Sequence, residues 1–224
     1  KYFKNFTFGV GRNEGYRNPT IYELFGTDNF GYSGNKNLNP EKSQSNEVYL
    51  SHKSNGISWN IRGFKSSIFN QIEYKNNKYV NNSNNLNLNQ SGINSDLNIK
   101  FFNSEIEMYT SFLSSKKIDN SDQLRRPEKN YGFKFKKEIN NSLVGQFNIN
   151  IDYSHYGKHF DTHSSNFSTI EIDNTDIIDV SLKKDFGIFN MNFKITNLFN
   201  ENYQRPHGYS QNGRLFNIGL TKSY

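Results

Sequence analysis

The chain has 224 residues, of which 33% are hydrophobic and 16% aromatic, and it carries a net charge of +6. Twenty Phe and fourteen Tyr argue against a disordered chain, because disordered segments are poor in aromatic residues. An ordinary soluble domain holds roughly 45–50% apolar residues, so a conventional hydrophobic core is not expected either. No run of about eighteen apolar residues occurs, which excludes helical membrane spans.

Strand-like alternation begins almost at once and recurs along the first half of the chain. Apolar and polar side chains exchange places with period two, which is the pattern of a strand with one apolar face. The first five predicted strands contain Phe6 to Gly11; Val48 and Leu50; Ile57 to about Tyr74; Leu97, Ile99 and Phe101; and Ile106, Met108 and Phe112. The apolar parity changes within the third of these, at Ile68, which predicts a β-bulge there.

The second half of the chain repeats the pattern five more times. The remaining predicted strands contain Tyr131, Phe133 and Phe135; Leu143 to Tyr153; Ile178, Val180 and Leu182; Phe189 to Ile195; and Phe216 to Tyr224. Ten antiparallel strands are therefore predicted.

The connections between these strands alternate in length. Short turns are predicted near residues 55, 103, 141 and 186, and longer loops at Glu14–Lys42, Asn76–Gln90, Lys116–Gln123, Gly157–Ser168 and Asn200–Gly213. All four prolines fall in or beside the long loops: Pro19, Pro40, Pro127 and Pro206. Outer-membrane barrels have this asymmetry, with tight turns at one rim and elaborated loops at the other, whereas a soluble sandwich has no reason to sort its loops. We predict an all-β fold, an antiparallel transmembrane β-barrel whose apolar face meets lipid and whose polar face meets water.

The long loops are where a ligand would be bound, because binding groups collect on loops held by a rigid scaffold. Aromatic rings offer flat apolar area and arginines offer forked donors for carboxylate or phosphate. The candidate ligand-binding residues are Tyr16, Arg17, Tyr22, Phe30, Tyr32, Arg125, Arg126, Tyr203, Arg205, Tyr209 and Arg214. The alternative interpretation is that the aromatic residues form an interface girdle and the arginines bind lipopolysaccharide phosphates.

Other chemistry is weakly indicated. His159, Asp161 and His163 form a metal-like cluster, for which a solvated polar loop is the preferred interpretation. Ser154 and His155 lie on opposite faces of one strand and cannot form a nucleophile pair. We therefore predict no catalytic residues, no metal site and no cofactor. The basic residues do not form a cluster interleaved with aromatic residues, so nucleic acid is not an expected partner. Contact with anionic lipid headgroups, or a position in a water-filled lumen, accounts for the lysines.

Several stretches of the sequence resemble the TonB-dependent outer-membrane receptors. The stretches that carry the resemblance are Gly15–Phe25, Gly34–Ser43, Leu124–Pro127, Thr196–Tyr203, Gly208–Tyr209 and Gly213–Arg214. The Leu-Arg-Arg-Pro stretch, Leu124–Pro127, is most similar to the cobalamin receptors.

The resemblance implies more than the residues themselves indicate. It implies that residues 1–224 are the C-terminal part of the barrel, the last ten strands of a probable 22-stranded barrel, with the plug and first strands absent from this chain. It further implies a location in the cell outer membrane, contact with lipid and lipopolysaccharide, and coupling to TonB through the missing N-terminal region. The expected activity is energised uptake of a scarce small-molecule nutrient, with cobalamin first and a ferric siderophore second; a passive porin or an autotransporter barrel is the alternative class.

Overall fold

A computed structural model of the chain describes residues 5–81, 88–117, 123–143, 145–166 and 168–222. Within these residues the chain forms fourteen strands and one short helix. The elements are β1 (Phe6–Arg17), α1 (Ile21–Phe25), β2 (Glu41–Ser54), β3 (Ile57–Phe69), β4 (Ile72–Lys75), β5 (Lys78–Asn81), β6 (Leu88–Phe101), β7 (Ser104–Lys117), β8 (Lys129–Asn141), β9 (Gly145–Tyr156), β10 (His159–Thr162), β11 (Thr169–Ile172), β12 (Thr175–Asp185), β13 (Asn190–Thr196) and β14 (Leu215–Thr221).

Ten of these strands form one antiparallel sheet in the order β1-β2-β3-β6-β7-β8-β9-β12-β13-β14. Each strand pairs with the next long strand along the chain, so the predicted number of main strands and their antiparallel order are confirmed. The sheet is open, with β1 and β14 as its edges. The other four strands form two hairpins, β4–β5 and β10–β11, inside long connections.

One face of the sheet is apolar from strand to strand. Direct cross-strand partners form a row across eight strands: Ile57, Ile99, Ile106, Phe135, Ile151, Val180, Ile195 and Phe216. No other part of the described chain covers this apolar face, and Val10 and Phe216, for example, remain 72% and 65% exposed. The buried hydrophobic residues of the described chain lie outside this face (Tyr32, Leu38, Ile72 and Leu88). The described helix is too short to span a membrane.

The opposite face, here called the polar face, carries paired charges and closely packed rings. Lys136 contacts Glu105 and Glu107, and Lys194 lies 3.1 Å from Asp179. Glycines on this face leave room for aromatic side chains of the neighbouring strand. A Cβ atom on Gly132 would overlap the side chain of Tyr109, its direct cross-strand partner.

The two ends of the sheet differ as the sequence predicts. Tight turns join β2 to β3, β6 to β7, β8 to β9 and β12 to β13. The described residues of the longer connections (18–40, 70–81, 123–128, 157–166, 168–174 and 197–214) are all at the other end. We call that end the outer rim. All four prolines lie in its loops, so their predicted placement is confirmed.

Several local predictions are wrong. The third strand ends at Phe69 and not near Tyr74, and its pairing with β2 is continuous from Lys42–Phe69 to Ser54–Ile57, so the predicted bulge is absent. Ile68 instead lies on the face opposite Ile57, directly across from the buried Leu88, and the chain leaves the strand only at Asn70, which has a positive φ of 55° and precedes the β4–β5 hairpin. The first loop is also shorter than predicted, since β1 continues to Arg17. Tyr224, predicted to end the last strand, lies outside the described residues.

Candidate functional site

The candidate residues all lie at or near the outer rim, but they divide into separate groups with different environments. Tyr16 shares the apolar-face parity of Val10 and is 67% exposed, with the Lys42 ammonium nitrogen 5.6 Å from its ring centre. An exposed ring on the apolar face near the outer rim is placed like a residue of an aromatic interface girdle. This was the alternative interpretation for the aromatic residues.

Arg17 ends β1 on the polar face and is fully engaged by protein carboxylates. Its Nε and Nη2 atoms donate to Glu41 at 2.8 and 3.0 Å, and its Nη1 donates to Glu23 at 3.1 Å. Glu23 also accepts from the Thr20 N–H at the start of α1. Burial would raise the pKa of Glu23, but the hydrogen bonds from Thr20 and Arg17 hold that pKa below its ordinary value. Arg17 therefore fixes α1 against the start of β2.

Tyrosine rings from two outer-rim connections meet in a cluster that we call the tyrosine cluster: Tyr22, Tyr32, Tyr74 and Tyr79. Tyr22 and Tyr32 stack with ring centres 4.8 Å apart, and the Tyr32 hydroxyl donates to the Tyr22 carbonyl oxygen at 2.6 Å. Desolvation raises the pKa of both Tyr22 and Tyr32, so both phenols are protonated at neutral pH. Tyr32 is buried and Tyr22 is half-exposed, so the cluster presents an aromatic surface to the outside.

The carboxylate of Asp161 joins separate connections of the outer rim. Its Oδ1 accepts from Arg125 Nε and from the Thr162 N–H, both at 2.7 Å, and its Oδ2 accepts from the His207 N–H at 2.8 Å. The side chain is 0% exposed. Burial would raise the pKa of Asp161, but the hydrogen bonds from His207, Arg125 and Thr162 lower it below the ordinary value. Arg125 thus pairs with Asp161 through its Nε, while 58% of its side chain stays exposed.

Two residues of the predicted metal-like cluster behave differently from expectation. A solvated polar loop was the preferred interpretation, and it is wrong for His159 and Asp161, which are 8% and 0% exposed. His163 remains near the surface, where its ring lies 4.8 Å from that of His207. The described part of the chain contains no group of three or more residues suited to hold a metal ion.

Arg205 has no acidic partner among the described residues and, unlike the exposed Arg126 and Arg214, is partly buried against aromatic rings. Its guanidinium carbon lies 3.4 Å from the ring centre of Tyr156 and 5.3 Å from that of Tyr203. Its Nε is enclosed without a hydrogen-bond partner. Desolvation lowers the pKa of Arg205, although a guanidinium stays charged in a protein. Stacking on these rings holds the partly dehydrated Arg205 guanidinium in place and leaves N–H donors without a partner among the described residues.

Tyr156, the ring under the Arg205 guanidinium, was not among the predicted candidate residues. Tyr156 has the same parity as Asn150 and Asp152, so alternation alone places it on the polar face at the last residue of β9. Its contact with Arg205, 49 positions later, is set by the fold of the last loop and has no local signal in the sequence.

The other candidates are exposed. Phe30 is 91% and Tyr209 68% exposed. Arg126 and Arg214 have exposed side chains, and the Arg214 backbone N–H donates to Asn200 Oδ1 at 2.8 Å. The outer rim therefore carries two separate groups of candidate residues. One is the tyrosine cluster, and the other is Arg205 stacked on Tyr156.

A family model described as TonB dependent receptor-like, beta-barrel, matches residues 4–198 of the chain. The matched residues contain most of the strands of the ten-stranded sheet described above.

Solved structures with the same fold include the siderophore receptor PirA from Acinetobacter baumannii, at 14% identity and a TM-score of 0.78, covering 100% of this chain and 40% of that one. The FrpB iron transporter from Neisseria meningitidis is 14% identical with a TM-score of 0.74, covering 97% of this chain and 37% of that chain. The copper transporter OprC is 13% identical with a TM-score of 0.77, covering 99% and 37%. The present chain thus spans two fifths or less of each of these proteins.

Proposed function

Because the chain belongs to the TonB dependent receptor-like β-barrel family, we propose that it is the C-terminal part of an outer-membrane receptor that takes up a scarce nutrient. Energy for uptake would reach the receptor through TonB, by way of an N-terminal region with a plug that precedes these strands. The nutrient would bind first at the outer rim and pass through the barrel when the plug is remodelled.

The observation that carries this proposal is the division of the sheet into two faces. An apolar row crosses eight strands on one face, while paired charges such as Lys136 and Glu107 line the other. A sheet with this division suits a wall between hydrocarbon and a wet lumen. Membership of this receptor family also favours a receptor over a passive porin or an autotransporter barrel.

Two ligand classes are proposed for the receptor. Ferric siderophores are supported by the names of proteins with the same fold, which include a siderophore receptor and an iron transporter. Cobalamin is supported by the similarity of Leu124–Pro127 to the cobalamin receptors, although Arg125 of that stretch is engaged by Asp161. Both ligands are large and scarce nutrients.

Binding to whole cells tests the proposal. Cells that make the full-length protein are incubated with radiolabelled cobalamin and with a panel of iron-59 siderophores, with and without functional TonB. We expect saturable binding of one ligand class in both strains and accumulation inside the cell only when TonB is present. Saturable binding of neither class would contradict the proposal, as would accumulation that does not require TonB.

A further inference from the structure

The guanidinium of Arg205 lies on the polar face, away from lipid. Tyr156, the ring beneath it, is separated by five positions along β9 from Ile151 in the apolar row, which corresponds to about 17 Å of strand. This odd separation places the two side chains on opposite faces of the sheet. A partner of Arg205 would therefore come from the aqueous mouth of the barrel.

Tyr156 has a cross-strand partner on each side, and one of the two carries a second buried polar atom without a hydrogen-bond partner. Asn130 is the direct cross-strand partner of Tyr156, so both side chains are on the polar face with Cα atoms about 5 Å apart. The side-chain Oδ1 of Asn130 is buried and has no hydrogen-bond partner. Thr175, the partner of Tyr156 on β12, is 6% exposed, so solvent does not reach Tyr156 from this side.

Arg205 is also fixed before any ligand arrives. Its backbone N–H donates to the Tyr209 carbonyl oxygen at 3.0 Å, and its own carbonyl oxygen accepts from Gln211 Nε2 at 2.8 Å. Two residues later, the His207 N–H is held by Asp161. A donor group positioned in this way loses little conformational entropy when it binds.

Resting on the proposed function, we propose that Arg205, stacked on Tyr156, is the site at which the receptor binds a negatively charged oxygen group of its ligand. The guanidinium takes a carboxylate or phosphate through its two terminal NH₂ groups, because its Nε is enclosed. A partly dehydrated cation without a counter-ion favours an oxyanion over a neutral ligand, since the oxyanion compensates the charge. Of the other rim arginines, Arg17 and Arg125 already pair with carboxylates, and Arg126 and Arg214 are exposed to water.

The direct test is titration of the purified full-length protein in detergent micelles with iron-free citrate, a soluble tricarboxylate. We expect saturable binding that Arg205→Gln weakens by about 10- to 100-fold, the range for loss of hydrogen bonds to a charged group. Arg205→Lys, which keeps the charge but loses the fork, is expected to recover part of the affinity. Arg12→Gln removes an exposed arginine from the apolar-face side of β1 and is expected to change affinity less than twofold.

The titration overturns the inference if citrate shows no saturable binding to the wild-type protein. Equal binding of citrate by the wild-type and Arg205→Gln proteins also overturns it. Heat-modifiable migration on gels checks that each variant is folded. Repeating the titration with purified lipopolysaccharide present separates a soluble ligand from a lipid phosphate: unchanged citrate affinity supports the inference, and displacement of citrate overturns it.

A cellular measurement distinguishes this inference from the proposed function. Cells are given iron-59 as ferric citrate or as ferrichrome, a neutral chelate, and Arg205→Gln is expected to reduce binding of ferric citrate only. If cells bind no labelled chelate and no cobalamin while the citrate titration still depends on Arg205, the uptake function fails and the oxyanion site stands.

Discussion

Asp161 shows how a single buried carboxylate can order several loops at once. Its two oxygens accept from a side chain and from two backbone N–H groups that belong to different connections of the outer rim. Such a residue is costly to replace, because each unpaired buried donor loses its solvation without compensation. The loop that carries Arg205 therefore depends on a residue far from it in the sequence.

Asp161→Asn should release that loop. The amide can keep one oxygen toward Arg125 and Thr162, but its NH₂ group would then face the His207 N–H, and two donors repel. We expect amide hydrogen exchange in residues 203–211 to accelerate by about 10- to 100-fold, corresponding to about 1–3 kcal/mol for an unpaired buried group. The control is Asp173→Asn, whose side chain is 87% exposed; similar acceleration in both variants would contradict this role.

The same junction predicts a dependence on acid. The pKa of Asp161 is lowered in the folded protein, so the stabilisation it provides is fully present above the unfolded-state value near 3.8 and is lost as pH falls through the folded value. Exchange protection of residues 203–211, corrected for intrinsic rates, should not change through this group between pH 8 and pH 5 and should fall below about pH 4. This acid transition should be missing in Asp161→Asn, and its persistence there would assign it to another group.

The sequence identified the residue types at the rim but not their partners. Arg125 was selected as a ligand donor, whereas its partner Asp161 lies 36 positions away and was expected to be solvated. Ion pairs between loops are formed by tertiary structure, and periodicity carries no information about them. Arg205 lies at the rim, as its place in the last loop predicts, whereas its lack of an acidic partner among the described residues is visible only in the fold.

Among the elements, the long strands were predictable and the short ones were not. Period two is clear over strands of eleven or more residues such as β9 and β12, but β4, β5, β10 and β11 have four residues each. The β4–β5 turn does have a signal, since Asn76 and Asn77 both adopt positive φ, which suits a type I′ hairpin turn. The β10–β11 hairpin has no comparable turn dipeptide.

Glycines on the polar face leave the space that aromatic rings of neighbouring strands occupy. A Cβ atom on Gly132 would overlap the Tyr153 carbonyl oxygen and the Tyr109 side chain, whereas a Cβ atom on Gly63 would meet nothing within 4 Å. In the full-length protein, Gly132→Ala should cost about 1–3 kcal/mol through overpacking and lower the temperature at which heat-modifiable migration is lost. Gly63→Ala, on the apolar face opposite Val48, adds a methyl group that meets no protein atom and is the control that should leave that temperature unchanged. Equal behaviour of the two variants would mean that the strands adjust freely.

At the scale of the whole molecule, the apolar residues of the sheet stay on its outside. The row from Ile57 to Phe216 crosses eight strands, and the described chain places nothing over it. A low overall hydrophobic content is sufficient for such a sheet, because only one side chain in two needs to be apolar. Alternation, turn lengths and proline positions were therefore enough to predict the architecture from sequence.

The ligand could not be predicted in the same way. Fold depends on patterns repeated over many residues, whereas ligand choice depends on a few groups at the rim, such as Arg205 and the tyrosine cluster. Their geometry is fixed by loops whose sequences lack periodicity. Binding measurements on the full-length protein are needed to distinguish cobalamin from a siderophore.

The central claim is that hydrocarbon covers the apolar face, and spin-label accessibility along β9 tests it most directly. Single cysteines are placed in turn at residues 147 to 153 of the full-length protein, labelled, and measured in lipid bilayers against oxygen and a water-soluble nickel chelate. The account predicts that oxygen accessibility peaks at the odd positions, from Phe147 to Tyr153, and nickel accessibility at the even positions, such as Asn150 and Asp152. Equal accessibility at all positions, or nickel accessibility peaking at Ile149 and Ile151, would contradict it.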